Sequence, residues 1–287
     1  MFSVLAYLLL ITGLAIGLTY LPKHIRKRSV EEKNKFSIIV AFRNEEKYIY
    51  TLLKSFGKLK YPKELFEIIL VNDASTDESL EEIERFIRYY PSIPIRILEN
   101  NRLTHSPKKD AIYTAIEQSS YDWIVTTDAD CLVPRNWLQL FNSFILAQDT
   151  VAFIAAPVVY RKEKGFLAQF QQLDWLSLTA VTMGSFGYKS PMLCSGANLC
   201  YRRTAFKKVG GFTGNENIAS GDDVFLLSKM QKKYPKNVFF LNSVDAIVQT
   251  RAVPTWKNLL HQRVRWASKT GDLPKVEAKV TGTVVFL

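Results

Sequence analysis

Residues 123–130 read Trp-Ile-Val-Thr-Thr-Asp-Ala-Asp, a short apolar run that ends on two carboxylates one residue apart. A brief, nearly continuous apolar run bounded by polar residues fits a strand buried on both faces. Similar runs occur at 36–42 (FSIIVAF), at 67–71 (EIILV, ending on Asn72-Asp73), at 95–98 and at 151–155. Segments of helical character separate them, at about 44–59, 78–89, 108–119 and 134–147, the last with Pro134 suited to a first turn. Strands alternating with helices of this length predict an α/β fold, a doubly wound and mostly parallel sheet flanked by helices. Ligands of such sheets bind beyond the carboxyl ends of the strands, which is where Asp73, Asp128 and Asp130 fall.

Composition narrows the function. The chain has 287 residues, 47% of them apolar and 23% charged, with 13 Gly and 11 Pro, so disorder and collagen-like repeats are excluded. Lys and Arg number 38 against 27 Asp and Glu, a net charge of +11 that favours an anionic partner. No stripe of interleaved basic and aromatic residues is visible, so nucleic acid is not expected to be that partner. The cysteines at 131, 194 and 200 suit neither a disulfide scaffold nor a zinc knuckle. A P-loop and a Gly-rich dinucleotide fingerprint are both absent, against an ordinary NTPase or dehydrogenase.

The ends suggest a membrane. Residues 2–22 carry no charge and are followed by Lys23, His24, Arg26, Lys27 and Arg28, which predicts a transmembrane anchor with Met1 outside and a basic linker (23–35) in the cytosol. Membrane lipids are thus expected partners, and the cell (inner) membrane the expected location. The final apolar run, 283–287, fits an edge strand or the first turns of another membrane helix in a longer chain. Residues 165–186 form a weakly polar helical stretch with one carboxylate, Asp174, and fit a helix buried on the sheet or one lying in the membrane interface. Beyond it, helices are expected at 223–233 and 255–269, and strands at 238–241 and 246–248.

The carboxylates carry the chemistry. In extended backbone Asp128 and Asp130 point the same way and would hold one hard divalent cation, Mg²⁺ or Mn²⁺, leaving positions open for phosphate oxygens. Asp73, just off its strand, can accept hydrogen bonds from a ribose or base, while Asp77 or Ser75 can cap the next helix. Asp222 and Asp223 open a helix, where they complement its dipole or supply a general base.

Taken in order, these segments resemble the inverting nucleotide-sugar glycosyltransferases of family 2, with the GT-A fold. "AFRNEE" is similar to the family's first-strand segment, placing Ala41 and Glu45 near the nucleotide; "VNDASTD" resembles D-x-S-x-D, with Asp73 at the uridine. "SPKKDAI" makes Lys108 the equivalent of the family's lysine, although Pro107 replaces the usual Gly. "TTDADC" matches the DxD motif, implying Asp130 as metal contact and Asp128 as a partner on the diphosphate side. "CSGANLCYRR" resembles an acceptor-side segment, and "SGDDVFL" aligns Asp223 with the catalytic base and puts Asp222 on the acceptor side. "HQRVRW" matches Q-x-x-R-W at Gln262, Arg265 and Trp266, a motif typical of the membrane-associated branch resembling cellulose, chitin and hyaluronan synthases.

The resemblance spans nearly all of residues 36–270, a nucleotide-binding half (36–157) and an acceptor half (158–270), followed by a tail. It implies transfer of a sugar from a nucleotide-diphosphate sugar, UDP-sugar favoured, to a lipid-linked or glycan acceptor at the cytosolic membrane face. Arg265 would add positive charge at the diphosphate, and Trp266 would stack on an acceptor sugar or simply pack. With a single anchor, one sugar per acceptor is expected rather than a translocated polymer. A nucleotidyltransferase should instead carry a basic, Gly-rich loop after its first strand, and a non-catalytic binding module would not need Asp128, Asp130 and Asp223 together.

Overall fold

The computed structural model describes residues 2–24, 33–216 and 221–267. In its main sheet β1 (Phe36–Phe42) is flanked by β2 (Phe66–Asn72) and β4 (Trp123–Thr126), with β3 (Ile95–Glu99) outside β2. These four strands are parallel, in the order β3-β2-β1-β4, with Ile38 facing Ile68 on one side and Val125 on the other. The sheet continues through β7 (Leu199–Arg202), β5 (Phe153–Ala155) and β8 (Val238–Phe240), and β7 runs antiparallel to both neighbours. Residues from both halves of the chain therefore share one sheet of seven strands.

Alternation explains why these strands are apolar throughout. Ile38 and Val40 enter one core layer while Ile39 enters the other, because successive side chains leave opposite faces. On the first face lie α2 (Ile49–Phe56), α3 (Ser79–Tyr89) and α5 (Trp137–Leu146), supplying Leu52, Ile83 and Trp137. On the second lie α4 (Pro107–Gln118), α7 (Arg203–Lys208) and α8 (Asp222–Lys233), supplying Ala111, Phe206 and Leu226. The expected mostly parallel α/β sheet, covered on both faces, is what forms.

A second parallel pair, β6 (Val158–Tyr160) with β9 (Val248–Thr250), stands beside the end of β4, bridged to it through Leu132 and Gln249. β6 leads to α6 (Phe166–Gly187) and β9 to α9 (Trp256–Ala267). α6 is buried on the sheet in part: Ala168, Gln171 and Phe186 are buried, whereas Phe166, Leu173 and Leu176 are exposed.

Three expectations are corrected. The stretch expected as an anchor forms α1 (Phe2–Tyr20), whose 19 residues end before Pro22, about 28 Å at 1.5 Å per residue. Among the described residues no helix is long and apolar enough to cross a membrane. Instead α1 packs on α6, with Gly17 against the backbone of Gly184 and Gly187, an approach that only small residues allow. Second, β4 stops at Thr126, and Asp128–Cys131 form a turn, the Cys131 amide donating to the Asp128 carbonyl at 3.2 Å. Asp128 and Asp130 thus stand on a turn rather than on extended backbone. Third, the helix expected from Asn44 begins only at Ile49, because Asn44 adopts a left-handed φ of 57° and ties the loop to Thr76. Of the basic linker, residues 25–32 lie outside the described residues, as does the tail 271–287.

Candidate active site

The carboxyl ends of β2, β1 and β4 lie side by side, and each delivers part of the site. After β2, Asp73 is 7% exposed and accepts hydrogen bonds from Arg102 Nε and Asn100 Nδ2, both at 2.6 Å. Burial alone would raise its pKa, but these donors and the charges of Arg102 and Arg43 outweigh it and hold the carboxyl below its ordinary value. Arg102 and Asn100 were missed from sequence because they follow β3, and only the sheet order brings them to Asp73. Asp77 stands just before the cap residue Glu78, and its Oδ1 accepts the Ser79 amide at 3.1 Å.

After β1, Ala41 faces Val71 across the strand pair, so it sits at the rim of the same edge. The Glu45 amide donates to Ser79 Oγ at 2.7 Å, and its carboxyl is pushed up to about 7 by burial and by the negative charge of Asp130, Asp128 and Asp77. Glu45 thus feels the charge of both Asp128 and Asp130.

Beyond β4 the turn divides its two carboxylates between two sides. Asp128 accepts from Lys108 Nζ at 2.7 Å, and the same ammonium lies 3.8 Å from Asp222 Oδ2. Burial would lower the Lys108 pKa, but Asp128, Asp222 and Asp223 together reverse this and raise it. Pro107 occupies the first position of α4, so replacement of the usual Gly leaves Lys108 on the helix and in reach. On the other side, Asp130 Oδ2 accepts from the Thr250 hydroxyl at 3.3 Å, and its carboxyl is raised by burial and by Asp128. The shared extended DxD geometry is therefore not what the chain adopts.

Asp223 sits in the first turn of α8 with both oxygens oriented by backbone amides, Oδ2 by Gly196 at 3.0 Å and Oδ1 by Val224 at 2.8 Å. Gly196 is a position the sequence reading did not single out. A Cβ there would stand 3.2 Å from Asp222 Oδ2 and 3.6 Å from Lys108 Nζ. The missing side chain is what lets Lys108, Asp222 and Asp223 converge.

The Q-x-x-R-W segment lies in the second half of α9. Arg263, not Arg265, turns inward: it pairs with Asp174 of α6, donates to Gln262 Oε1 at 2.9 Å and lies 4.3 Å over the Trp266 ring. Trp266 also meets Trp175, ring centres 5.8 Å apart, so packing rather than an open stacking face describes it. Arg265 is exposed. The lone carboxylate of α6 is explained by this contact.

The donors fit a hard cation. Glu45, Asp128 and Asp130 offer only oxygen, and the raised carboxyls of Glu45 and Asp130 mark surplus negative charge that a divalent ion would relieve. Among the described residues no three His, Cys, Asp or Glu side chains converge on one metal position. A metal here would take the rest of its coordination from substrate phosphates and water.

The fold has counterparts among solved structures. A mannosyltransferase from Pyrobaculum calidifontis, in complex with GDP-Man and Mn²⁺, superposes with a TM-score of 0.67 at 20% identity, covering 92% of this chain and 71% of that one. Staphylococcus aureus TarS with UDP-GlcNAc gives a TM-score of 0.56 at 20% identity, over 86% of this chain and 69% of that one. Among sequences, a probable glycosyltransferase of Bacillus subtilis, YdaM, is 26% identical over 84% of this chain and 56% of its own length. The beta-monoglucosyldiacylglycerol synthase of Nostoc is 25% identical over 88% of this chain and 53% of its own. The chain spans about half the length of the curated relatives it matches. The profile of glycosyl transferase family 2 matches residues 37–210, more than half of the chain and all of the sheet edge that bears Asp73, Asp128 and Asp130, so this chain belongs to glycosyl transferase family 2.

Proposed function

We propose that this chain is the catalytic part of an inverting glycosyltransferase that moves a sugar from a nucleotide-diphosphate sugar, a UDP-sugar by preference, to a lipid-linked or glycan acceptor. The observation that carries this reading is the placement of Asp73, the Asp128–Asp130 turn and Asp223 along one edge of the sheet. Asp73 and Asp128 leave strands two places apart, about 10 Å at the spacing of a sheet, a length that suits a nucleoside diphosphate. The nucleoside would lie at Asp73 and Arg102, and the diphosphate at the turn near Lys108.

Asp223 would take the proton of the acceptor hydroxyl as its oxygen attacks the anomeric carbon. The bond from that carbon to the diphosphate oxygen breaks, the oxygen keeps the electron pair, and the configuration inverts. The two backbone amides on Asp223 fix its carboxylate toward one direction, so little reorganisation is needed. Lys108 would meet part of the negative charge that grows on the leaving group. Mg²⁺ or Mn²⁺, held by Asp130 and Asp128, would supply further neutralisation of that charge. Solved neighbours that hold Mn²⁺ with GDP-Man or with UDP support this assignment.

A membrane-surface setting on the cytosolic face is part of the same reading. Exposed apolar residues on three helices support it, among them Leu9 of α1, Leu173 of α6 and Leu260 of α9. The test is donor turnover across a panel of UDP- and GDP-sugars, with and without Mn²⁺. Metal-dependent turnover of one donor is expected, and no turnover or binding of any nucleotide sugar would overturn the reading. One sugar added per acceptor is the preferred outcome; a ladder of products would replace it with polymer synthesis.

A further inference from the structure

Two arginines outside the proposed donor site occupy matching positions. Arg161 follows β6 and Arg251 follows β9, and these parallel strands are in register with Tyr160 opposite Thr250. The Arg161 amide donates to the Thr250 carbonyl at 2.8 Å, so both side chains leave the same end of the same strand pair. Arg161 Nη2 donates to the Asp130 carbonyl at 3.2 Å, which puts the pair against the far side of the DxD turn from Lys108.

Their charge is poorly answered. Arg161 Nε is buried with no hydrogen-bond partner among the described residues. The ion pair of Arg251 with Glu163 is 3.9 Å long, and its guanidinium lies 4.7 Å over the Tyr48 ring. Two guanidiniums at one end of a strand pair, one with a buried idle donor, present the forked donor geometry that phosphate oxygens match.

The surroundings say what carries the phosphate. Five residues after Arg161 the chain reaches Phe166, and five after Arg251 it reaches Trp256; these rings meet with centres 6.2 Å apart and are 75% and 48% exposed. Phe170 joins them at 5.5 Å from Trp256. A basic end thus runs directly into an exposed aromatic cluster. That pattern matches an amphiphile, an anionic head with an apolar tail.

We propose that Arg161 and Arg251 form a phosphate subsite for the acceptor, and that the acceptor is a lipid bearing a phosphate near its reacting hydroxyl. The proposal rests on the transferase reading above. It assigns the acceptor phosphate to Arg161 and Arg251 and leaves the donor diphosphate to Lys108 and the Asp128–Asp130 turn, so both anions are held at once.

Calorimetric titration of the whole chain tests it, with inorganic phosphate and with dihexanoyl phosphatidic acid below its micelle concentration, each with and without saturating UDP and Mg²⁺. Phosphate should bind in the presence of UDP, and the phosphatidic acid at least tenfold more tightly. Arg161→Gln and Arg251→Gln should weaken both about tenfold or more while UDP affinity stays within about twofold. Arg161→Lys should recover only part of the loss, and Trp256→Ser should lose the lipid's advantage yet keep phosphate. Displacement of phosphate by UDP, or unchanged phosphate binding in both glutamine variants, overturns the subsite. Phosphatidic acid binding no tighter than phosphate overturns the lipid assignment. Failure of the wild-type chain to bind UDP would sink the transferase reading instead, while titration without UDP still answers for the arginines.

Discussion

At the scale of single residues, Asp223 and Asp73 illustrate two uses of a carboxylate. Asp223 is aimed by two amides at the space beside Lys108 and Asp222, an arrangement that positions a base. Asp223→Asn should keep the donor dissociation constant within about twofold and lower turnover by roughly 10²- to 10⁴-fold; an unchanged turnover number would remove Asp223 from that role. Gly196→Ala should lower turnover as well, because its Cβ would press on Asp222 and Lys108; a crystal structure of the variant with both side chains unmoved and full turnover would contradict this. Asp73 has a depressed pKa in the fold, so its contribution to stability is present above the unfolded carboxylate value of about 3.9 and is lost as pH falls through the lower folded value. Asp73→Asn should therefore flatten the acid limb of a stability curve, followed by circular dichroism between roughly pH 5 and pH 2.

At the scale of elements, the α1–α6 contact and the α6–α9 contact both converge on one helix. Gly17, Gly184 and Gly187 bring the backbones of α1 and α6 together, and Tyr188 donates to the Gly13 carbonyl at 2.7 Å. Gly184→Val should force these helices apart, at a cost of about 1–3 kcal/mol typical of overpacking, and expose α1 to limited proteolysis. Asp174 and the buried Gln171 hold α9 and its approach, Gln171 exchanging two hydrogen bonds of 3.0 Å with Val253. Elements were the most legible level: the strands at 36–42 and 95–98 and the helix at 78–89 follow from apolar runs and capping. β7 and α7 were not read, because a four-residue strand with a polar end looks like any loop until β4 and β5 pair with it.

At the scale of the molecule, the proposed membrane-surface setting joins the +11 charge to the exposed apolar residues of the helices. The charge would draw the protein to an anionic bilayer, and Leu9, Phe166, Leu173 and Leu260 would then enter its interface. Flotation with phosphatidylglycerol vesicles should exceed that with phosphatidylcholine and weaken as salt rises from 0.05 to about 0.5 M, as screening requires. Binding indifferent to both lipid charge and salt would contradict the surface reading.

The sequence alone determined the doubly wound sheet and the acidic edge, since strand ends and their carboxylates are local features of the chain. It also placed Asp73, Lys108, Asp128 and Asp223 among the site residues, and the fold brings them to one edge. Tertiary structure decided what each of them faces. The turn after Thr126 sends Asp128 to Lys108 and Asp130 to Thr250, contacts set by elements 20 and 120 residues away. It also made Arg263 rather than Arg265 the inward arginine and set Arg161 beside Arg251. Such pairings depend on which strands and helices become neighbours, and a linear pattern of residue types carries no record of that.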